Sequence, residues 1–414
     1  MNLLKLVIVG HVDHGKSTLI GKLLQQTNSL PTDRMEEIKH AAKNAGKEME
    51  FAYLLDYLEE EREQGISIDT TQVFFKTGKR DYVIIDSPGQ VEFVKNMVTG
   101  ASQAEAAVLI VDVKEGMKEQ GRRHAYLLSL LGIEQVIVAL NKMDLAGYEK
   151  NTYEKIKGEA ARFLASTGME ALYYIPVSAK KGENITRKSK KMHWYNGSTF
   201  VEGLDKLKEK ESLADKPLIF PVQDIYKIAD KRIAAGKLLS GIIKRGEEIK
   251  ILPLHRTTRV ESVERYLENR DAAYPGESIG IITREPVPIS RGDIICLPGK
   301  EPVLTDRFEA SIFWISSKEL CRGKSLSIRC ASQETTCSIE TIKKRVDSST
   351  LEIIQENADI LKNPEVGEVV IKTKNPVALQ PFRELQELGR FVLEEGGNIC
   401  AGGIVTNCDT DNPV

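Results

Sequence analysis

The stretch GHVDHGKS at residues 10–17 combines glycines, a lysine and a serine at a spacing that suits phosphate chemistry. It fits the pattern G-x-x-x-x-G-K-[ST] and follows an apolar, strand-like run over residues 3–9. In such a turn the backbone N–H groups can surround a β-phosphate, and glycine supplies the positive φ that the turn needs. Lys16 would place a positive charge at the β- and γ-phosphates, and Ser17 would offer a hydroxyl to Mg²⁺. The predicted phosphate-binding residues are His11, Val12, Asp13, His14, Gly15, Lys16, Ser17 and Thr18.

A second motif lies at the end of another apolar run. Residues 83–85 lead into Asp86-Ser87-Pro88-Gly89, which reads as D-x-x-G after a strand. Asp86 could hold Mg²⁺ through water, and the N–H of Gly89 could sense a γ-phosphate. Both motifs therefore address the phosphates and the metal ion of one nucleotide.

A third motif predicts which base is bound. The strand-like residues 136–140 lead into Asn141-Lys142-Met143-Asp144. A carboxylate at Asp144 can accept hydrogen bonds from N1–H and from the exocyclic amine of guanine, whereas adenine offers neither donor there. The Lys142 stem can lie along the base, and Asn141 can tie this loop to the phosphate loop. A further loop after residues 173–177 could meet guanine O6 through backbone N–H groups, and its residues are Ser178, Ala179 and Lys180.

Composition sets the class of the molecule. The chain has 414 residues, 41% of them hydrophobic and 29% charged, which suits a globular protein of two or three domains. Its formal net charge of -2 provides no field that would draw it to nucleic acid or to an anionic membrane, although a local basic face remains compatible with that total. No secretory signal and no membrane-length apolar stretch is visible, so we expect a cytoplasmic protein. The six cysteines contain no C-x-x-C pair, which favours reduced structural thiols over a zinc site.

The order of sequence patterns predicts the fold class. Strand-like runs near residues 5, 83, 107, 136 and 174 alternate with helical patterns, which predicts an α/β P-loop GTPase domain over residues 1–212, with a mostly parallel sheet and helices on both faces. Short strands punctuated by glycine and proline then predict two small β-barrel domains, at residues 216–300 and 301–406. Residues 407–414 are polar and are predicted to form a disordered tail.

Two basic clusters raise the question of nucleic-acid binding. The first, with Arg187, Lys188, Lys190 and Lys191, precedes Trp194 and could form a patch with an aromatic stacker. We favour a solvated loop that closes the nucleotide domain. The second cluster, at residues 343–345, could be an RNA contact, and we favour a charge run at a strand end.

The motifs together resemble those of the translation-factor superfamily of GTPases, over nearly the whole chain. The stretches that carry the resemblance are GHVDHGKSTL from residue 10, EREQGISID from residue 61, DSPGQVEFVKNM from residue 86 and NKMD from residue 141. The resemblance implies that the first switch precedes Asp69 and that the second follows Gly89. It implies GTP and Mg²⁺ as cofactors.

Within that superfamily the chain is most similar to the GTPase (large) subunit of bacterial sulfate adenylyltransferase. The supporting stretches are QGRRHAYLLSLLGI, HWYNGSTFVEGLD, FPVQD, AGKLLSGIIKRGEEIKILP, YPGESIG, PISRGDII and KKRVDSSTLE. This resemblance implies a GTPase that couples hydrolysis to the formation of adenylyl sulfate from ATP and sulfate by a separate adenylyltransferase catalytic subunit. No second phosphate loop is present, so a fused adenylyl-sulfate kinase is not expected.

The chain departs from the superfamily pattern at two positions. Gln90 stands where the family has histidine after D-x-P-G, and Ser67 stands where the first switch has threonine. A glutamine amide can orient an attacking water, so we expect hydrolysis to survive, with Val12 and Ile66 as the apolar gate around Gln90. The predicted catalytic residues are Gln90, Lys16 and Gly89, and the predicted magnesium ligands are Ser17, Ser67 and Asp86.

Two other interpretations remain open at this stage. The same three domains and switches suit a carrier that delivers aminoacyl-tRNA to the ribosome in its GTP state. Gln90 also leaves room for a paralogue of the sulfate subunit with a changed partner. The β region favours sulfate activation over tRNA delivery.

Overall fold

The computed structural model describes residues 3–29, 72–86, 104–209, 212–228, 231–265 and 268–408. These residues form two compact units. The first holds the described residues up to Glu209 together with Ser349–Leu351, and the second holds the other described residues from 212 onward.

The first unit is built on a six-stranded sheet with the strand order β2-β3-β1-β4-β5-β6. All neighbouring pairs in it are parallel except β2 with β3. The strands are β1 (Leu3–Gly10), β2 (Gln72–Lys76), β3 (Asp81–Asp86), β4 (Ala106–Asp112), β5 (Gln135–Asn141) and β6 (Ala171–Pro176). Parallel strands end at the same edge of a sheet, so the loops after β1 and β5 converge there, and β3 ends at the same edge.

Helices cover both faces of this sheet. The helices described in this unit are α1 (Lys16–Gln26), α2 (Glu119–Leu130), α3 (Lys150–Ser166), α4 (Phe200–Leu204) and a 3₁₀ turn at Lys190–Met192. One face packs against Leu19 and Leu23 of α1 and Phe200 of α4. Every residue of β4 is buried, as expected for a strand covered on both sides, and α2 packs on β1 and β4 while α3 packs on β5 and β6. The predicted α/β domain with helices on both faces is therefore confirmed.

The second unit begins with a closed β-barrel. Its strands run in the order β10-β15-β7-β8-β14-β11-β12, and a further pairing of β10 with β11 closes the ring. The barrel strands are β7 (Ile219–Ile228), β8 (Lys231–Lys237), β10 (Glu248–Leu252), β11 (Arg256–Arg265), β12 (Glu268–Arg270), β14 (Ser278–Thr283) and β15 (Ile294–Cys296). Two short strands, β9 (Ile243–Lys244) and β13 (Ala272–Ala273), pair with each other in a separate sheet. Phe220, Val222, Ile249 and Ile251 fill its interior with alternate side chains of their strands.

A second barrel follows in the same unit. Its order is β18-β23-β24-β16-β22-β19-β20, and β18 also pairs with β19. Its elements are β16 (Val303–Trp314), β17 (Leu320–Cys321), β18 (Ser325–Cys330), β19 (Gln333–Asp347), β20 (Ile353–Ala358), β21 (Ile360–Leu361), β22 (Glu365–Leu379), α5 (Gln386–Gly389), β23 (Arg390–Glu395) and β24 (Asn398–Cys408). Both predicted barrels are thus present.

The end of β24 differs from the sequence prediction. Asn407 and Cys408, which were assigned to a disordered tail, pair with Glu309 and Phe308 of β16. The ladder continues because Cys408 is buried and closes the barrel core beside Phe308. Residues 409–414 lie outside the described residues.

All six cysteines lie in the second unit. All six cysteines are free, and burial raises the pKa of Cys296, Cys330 and Cys337 to about 12 in each case, so these thiols stay protonated. In the described part of the chain, histidine, cysteine and carboxylate side chains nowhere gather in threes as a metal site would require. Among the same residues, none of the helices has the length and apolar character needed to span a bilayer.

Candidate functional site

The phosphate loop joins β1 to α1, and two close approaches shape it. Gly15 has a φ of 94°, and a Cβ there would lie 2.5 Å from Asn141 Nδ2. A Cβ at Gly10 would lie 2.5 Å from the carbonyl oxygen of Ile110 in β4. Both positions therefore require glycine for space, and Gly15 also for its left-handed backbone.

Lys16 spans this loop. Its Nζ donates to the carbonyl oxygens of Gly10 and His11, each at 3.0 Å, so the ammonium group is held inside the turn. Helix α1 begins at Lys16, which directs its first N–H groups and the positive end of the helix dipole at the loop. Ser17 and Thr18 occupy that first helical turn and are half-buried. The arrangement fits the phosphates of a nucleotide.

The described residues include only part of the predicted metal and catalytic set. Strand β3 ends at Asp86, whose backbone pairs beside Ile8 of β1, so residue 86 sits at the same sheet edge as the phosphate loop. Ser67, Gly89 and Gln90 lie outside the described residues, as does Ile66.

Asn141 lies between the two nucleotide loops. Its Nδ2 donates to the His14 carbonyl oxygen at 2.8 Å, and its Oδ1 accepts from the backbone N–H of Ala179 at 2.9 Å. The side chain is buried, with 2% of the residue exposed. One amide therefore joins the phosphate loop, the loop after β5 and the loop after β6.

Asp144 and Ser178 are placed together. The Ser178 hydroxyl donates to Asp144 Oδ1 at 2.6 Å, and the Ser178 Oγ also accepts from the backbone N–H of Lys181. These contacts orient one carboxylate oxygen of Asp144 and leave the other for a ligand. Lys180 is exposed beside them.

Two supporting residues were missed by sequence reasoning. Asp112 forms an ion pair with Lys142, with 2.8 Å between Oδ2 and Nζ. Gln26 at the end of α1 donates to the Gly182 carbonyl oxygen and accepts from the Thr186 hydroxyl, which ties α1 to the loop after β6. Asp112 could have been noticed in the sequence, because it is the one charged residue in the strand AAVLIVD. Gln26 lies in a polar helix end, where nothing in the sequence distinguishes it.

Two histidines near the phosphate loop, His14 and His124, have pKa values below the usual value for histidine. Burial lowers the pKa of His14 and lowers that of His124 to about 4. The rings of His11 and His14 meet edge to face with 5.2 Å between centroids. Val12 is 56% exposed, and its N–H donates to Gln120 Oε1 at 3.3 Å. The loop therefore offers backbone amides and the Lys16 ammonium to an anion.

The second basic cluster is ion-paired within the protein, whereas the first is exposed. Lys191 pairs with Glu183 at 3.0 Å, and Trp194 Nε1 donates to the Tyr148 carbonyl oxygen at 2.9 Å. In β19 the second cluster is ion-paired along the sheet, and its pairs are Lys343–Glu309, Lys344–Glu368 and Arg345–Glu365. The first cluster thus lies in an exposed loop of the nucleotide domain, as the sequence analysis favoured, and the second lies in the last part of β19.

Comparison with known proteins identifies the family. The model of the elongation factor Tu GTP binding domain matches residues 1–245, that of elongation factor Tu domain 2 matches residues 231–296, and that of the GTP-eEF1A C-terminal domain-like family matches residues 307–406. Elongation factor 1-alpha of Saccharolobus solfataricus is 37% identical over 98% of this chain and 97% of its own length. Elongation factor 1-alpha of Pyrococcus abyssi is 38% identical over 97% of this chain and 96% of its own length. A crystal structure of sup35 with GDP is 24% identical with a TM-score of 0.46, covering 98% of this chain and 94% of that one.

These relatives overturn the prediction of a sulfate adenylyltransferase subunit and of an adenylyltransferase partner. The relatives that match nearly end to end are named elongation factor 1-alpha. Some of the stretches that suggested the sulfate enzyme supply core of the first barrel: Phe220 and Val222 of FPVQD and Ile295 of PISRGDII are fully buried there. Such positions are constrained by packing inside a barrel, so they report the fold and not the partner.

The motifs, the described fold and the relatives converge on one conclusion. This chain belongs to the elongation factor Tu and elongation factor 1-alpha family of GTPases, which bind GTP with Mg²⁺.

Proposed function

We propose that this chain binds aminoacyl-tRNA in its GTP-bound state and delivers it to the ribosome, with GTP hydrolysis ending the bound state. The observation that carries the proposal is the extent of the likeness to elongation factor 1-alpha, which covers both barrels as well as the nucleotide domain. A GTPase domain alone would fit many partners. Three domains shared end to end support the same kind of cargo.

The geometry supports the following division of roles. The phosphates are bound by the backbone amides of residues 11–18 and by Lys16, whose ammonium is already held inside the turn. Guanine is read by Asp144, oriented by Ser178, with Lys142 along the base and Lys180 near O6. By the motifs of the sequence, Ser17, Ser67 and Asp86 would hold Mg²⁺, which would neutralise phosphate charge.

The proposal predicts that the chain with GTP protects the ester bond of aminoacyl-tRNA from hydrolysis. A bound carrier covers the aminoacyl end and excludes water from the ester. With a non-hydrolysable GTP analogue and the protein at about ten times its Kd, roughly nine tenths of the aminoacyl-tRNA is bound, so we expect the half-life of the ester to rise about tenfold. The measurement follows release of a radiolabelled amino acid from purified aminoacyl-tRNA.

The control is the same protein with GDP, which should give little protection. Deacylated tRNA should not compete at equal concentration. If the chain binds GTP but leaves ester hydrolysis unchanged in both nucleotide states, tRNA delivery is the wrong function for this GTPase.

Gln90 is proposed to position the attacking water. We predict that Gln90→Ala lowers GTP turnover about tenfold to a hundredfold, because an amide that orients water is removed without any loss of phosphate contacts. GTP affinity should stay within about twofold. Release of inorganic phosphate in single-turnover conditions, with and without ribosomes, measures the effect.

Gln90→His is the matched variant, since it restores the residue of the family pattern. We expect it to hydrolyse GTP at least as fast as the parent chain. Unchanged turnover in Gln90→Ala would mean that Gln90 points to solvent and that the water is positioned by another group.

A further inference from the structure

Asp112 closes β4 and is a buried charge at the end of an apolar strand. Its side chain is 3% exposed. Lys142 Nζ lies 2.8 Å from Asp112 Oδ2, and the N–H of Lys114 donates to Asp112 Oδ1 at 2.8 Å. Asp112 pairs in register with Asn141 across the parallel strands β4 and β5, so the carboxylate stands directly beside the start of the loop after β5.

The electrostatics keep this carboxylate ionised. Burial by itself raises the pKa of Asp112, but the hydrogen bonds from Lys142 and from the Lys114 amide outweigh burial and lower that pKa below its usual range. A buried charge of this kind costs desolvation free energy, and removal of its partner leaves that cost uncompensated. The Lys142 ammonium is therefore anchored by a group that stays negative near neutral pH.

Asp112 also meets the phosphate loop. Its backbone N–H donates to His14 Nδ1 at 3.3 Å, and His14 is buried with 1% of the residue exposed. Burial lowers the pKa of His14, so the neutral ring can accept this hydrogen bond. One residue therefore contacts the loop of the phosphates through its backbone and the loop of the base through its side chain.

We propose that Asp112 is a positioning residue that anchors Lys142, so that the lysine stem lies along the bound guanine and strengthens purine binding without choosing the base. The inference rests on the proposed role of residues 141–144 as the guanine loop. A lysine side chain is flexible, and fixing its ammonium at one point leaves the four-carbon stem fewer conformations to lose when the base binds.

Base choice should be independent of this anchor. Guanine differs from hypoxanthine by the exocyclic amine, which Asp144 receives, and Asp144 is oriented by Ser178 and not by Asp112. Loss of the anchor should therefore weaken GDP and IDP equally.

The test is a double-mutant cycle with Asp112→Asn, Lys142→Met and the double variant, in the full chain. Calorimetric titration of nucleotide-free protein with GDP and with IDP gives the Kd values. Asp112→Asn should raise both Kd values about tenfold, the scale of one hydrogen bond to a charged group, and leave their ratio unchanged. In the Lys142→Met background, Asp112→Asn should cause no further loss, because Asp112 acts through Lys142.

Asp205→Asn is the matched control, since Asp205 also accepts two hydrogen bonds, from Thr77 and Tyr82 at 2.7 Å each, and lies outside the proposed nucleotide residues. It should leave the Kd of GDP unchanged. Should Asp112→Asn not yield folded protein, Asp112→Glu, which moves the carboxylate by one methylene, must raise both Kd values.

Several results would overturn the inference. The first is a folded Asp112 variant with the nucleotide affinity of the parent chain. The second is that Asp112→Asn weakens nucleotide binding as much in the Lys142→Met background as in the parent. The third is a changed ratio of the Kd values of GDP and IDP. Failure of the parent chain to bind GDP would instead refute the proposed guanine loop itself, so the two failures are distinguishable.

Discussion

Replacing Asp144 with asparagine is expected to move the nucleotide preference of this chain from guanine to xanthine. GDP affinity should fall by about a thousandfold, because the side chain would face the guanine amine with its own donor. Xanthine carries a carbonyl where guanine has that amine, so XDP should gain the hydrogen bond that GDP loses. The Kd values of GDP and XDP, measured by calorimetric titration, give the exchange directly.

The structure defines how the asparagine would lie. Ser178 Oγ donates to Asp144 Oδ1 at 2.6 Å, so in the variant the amide oxygen should remain with Ser178 and the amide nitrogen should face the base. Adding Ser178→Ala should blunt the exchange, since the amide could then turn either way. A variant that loses GDP without gaining XDP would show that Asp144 supports the loop and does not read the base.

Replacing Asn141 with aspartate is expected to weaken every purine nucleotide together, by about a hundredfold, and to destabilise the nucleotide domain. The buried amide makes both of its contacts within the protein, to the His14 carbonyl oxygen and to the Ala179 N–H. Aspartate would place a carboxylate oxygen against the His14 carbonyl oxygen in a buried site. Loss of such a contact lowers the free energy of unfolding by about 3 kcal/mol, which corresponds to a fall in Tm of roughly 10 °C for a domain of this size.

Asn184→Asp provides the matched comparison. Asn184 is equally buried, and its Nδ2 donates to the Pro176 carbonyl oxygen at 2.9 Å, without contact to the phosphate loop. Asn184→Asp should lower the Tm by a similar amount but change nucleotide affinity much less. The affinities are measured at a temperature well below the unfolding transitions of both variants. Equal losses of affinity in the two variants would mean that Asn141 contributes only general stability.

Strands could be predicted where a short stretch of sequence shows a clear hydrophobic pattern. Strands β4 and β5 were located by their apolar runs, because each is buried on both faces and reads as a continuous hydrophobic segment. Strand β2 was missed. It lies at the antiparallel edge, where Val73 and Phe75 are buried and Phe74 is 59% exposed, so its short alternation resembles an ordinary loop segment.

The predicted adenylyltransferase partner, which rested on sequence resemblance, was wrong. The stretches that favoured the sulfate enzyme contribute side chains such as Leu238, Ile249 and Ile295 to the first barrel. Residues in a packed interior are selected for volume and shape, so they identify the barrel and carry little information about what the surface binds. Relatives that match over nearly the full length overturned the prediction of a sulfate-enzyme subunit.

The class of nucleotide could be predicted from the motifs alone. Each motif contains, within a few residues, both the turn and the side chains or backbone groups that contact the nucleotide. Long-range contacts had to come from the fold. Asp112 is 30 positions from Lys142 in the chain and becomes its partner only when β4 and β5 pair in register. Gln26 reaches the loop after β6 only because α1 packs across the sheet. Short motifs place the groups that touch a ligand, whereas the groups that hold them in position are brought together by packing.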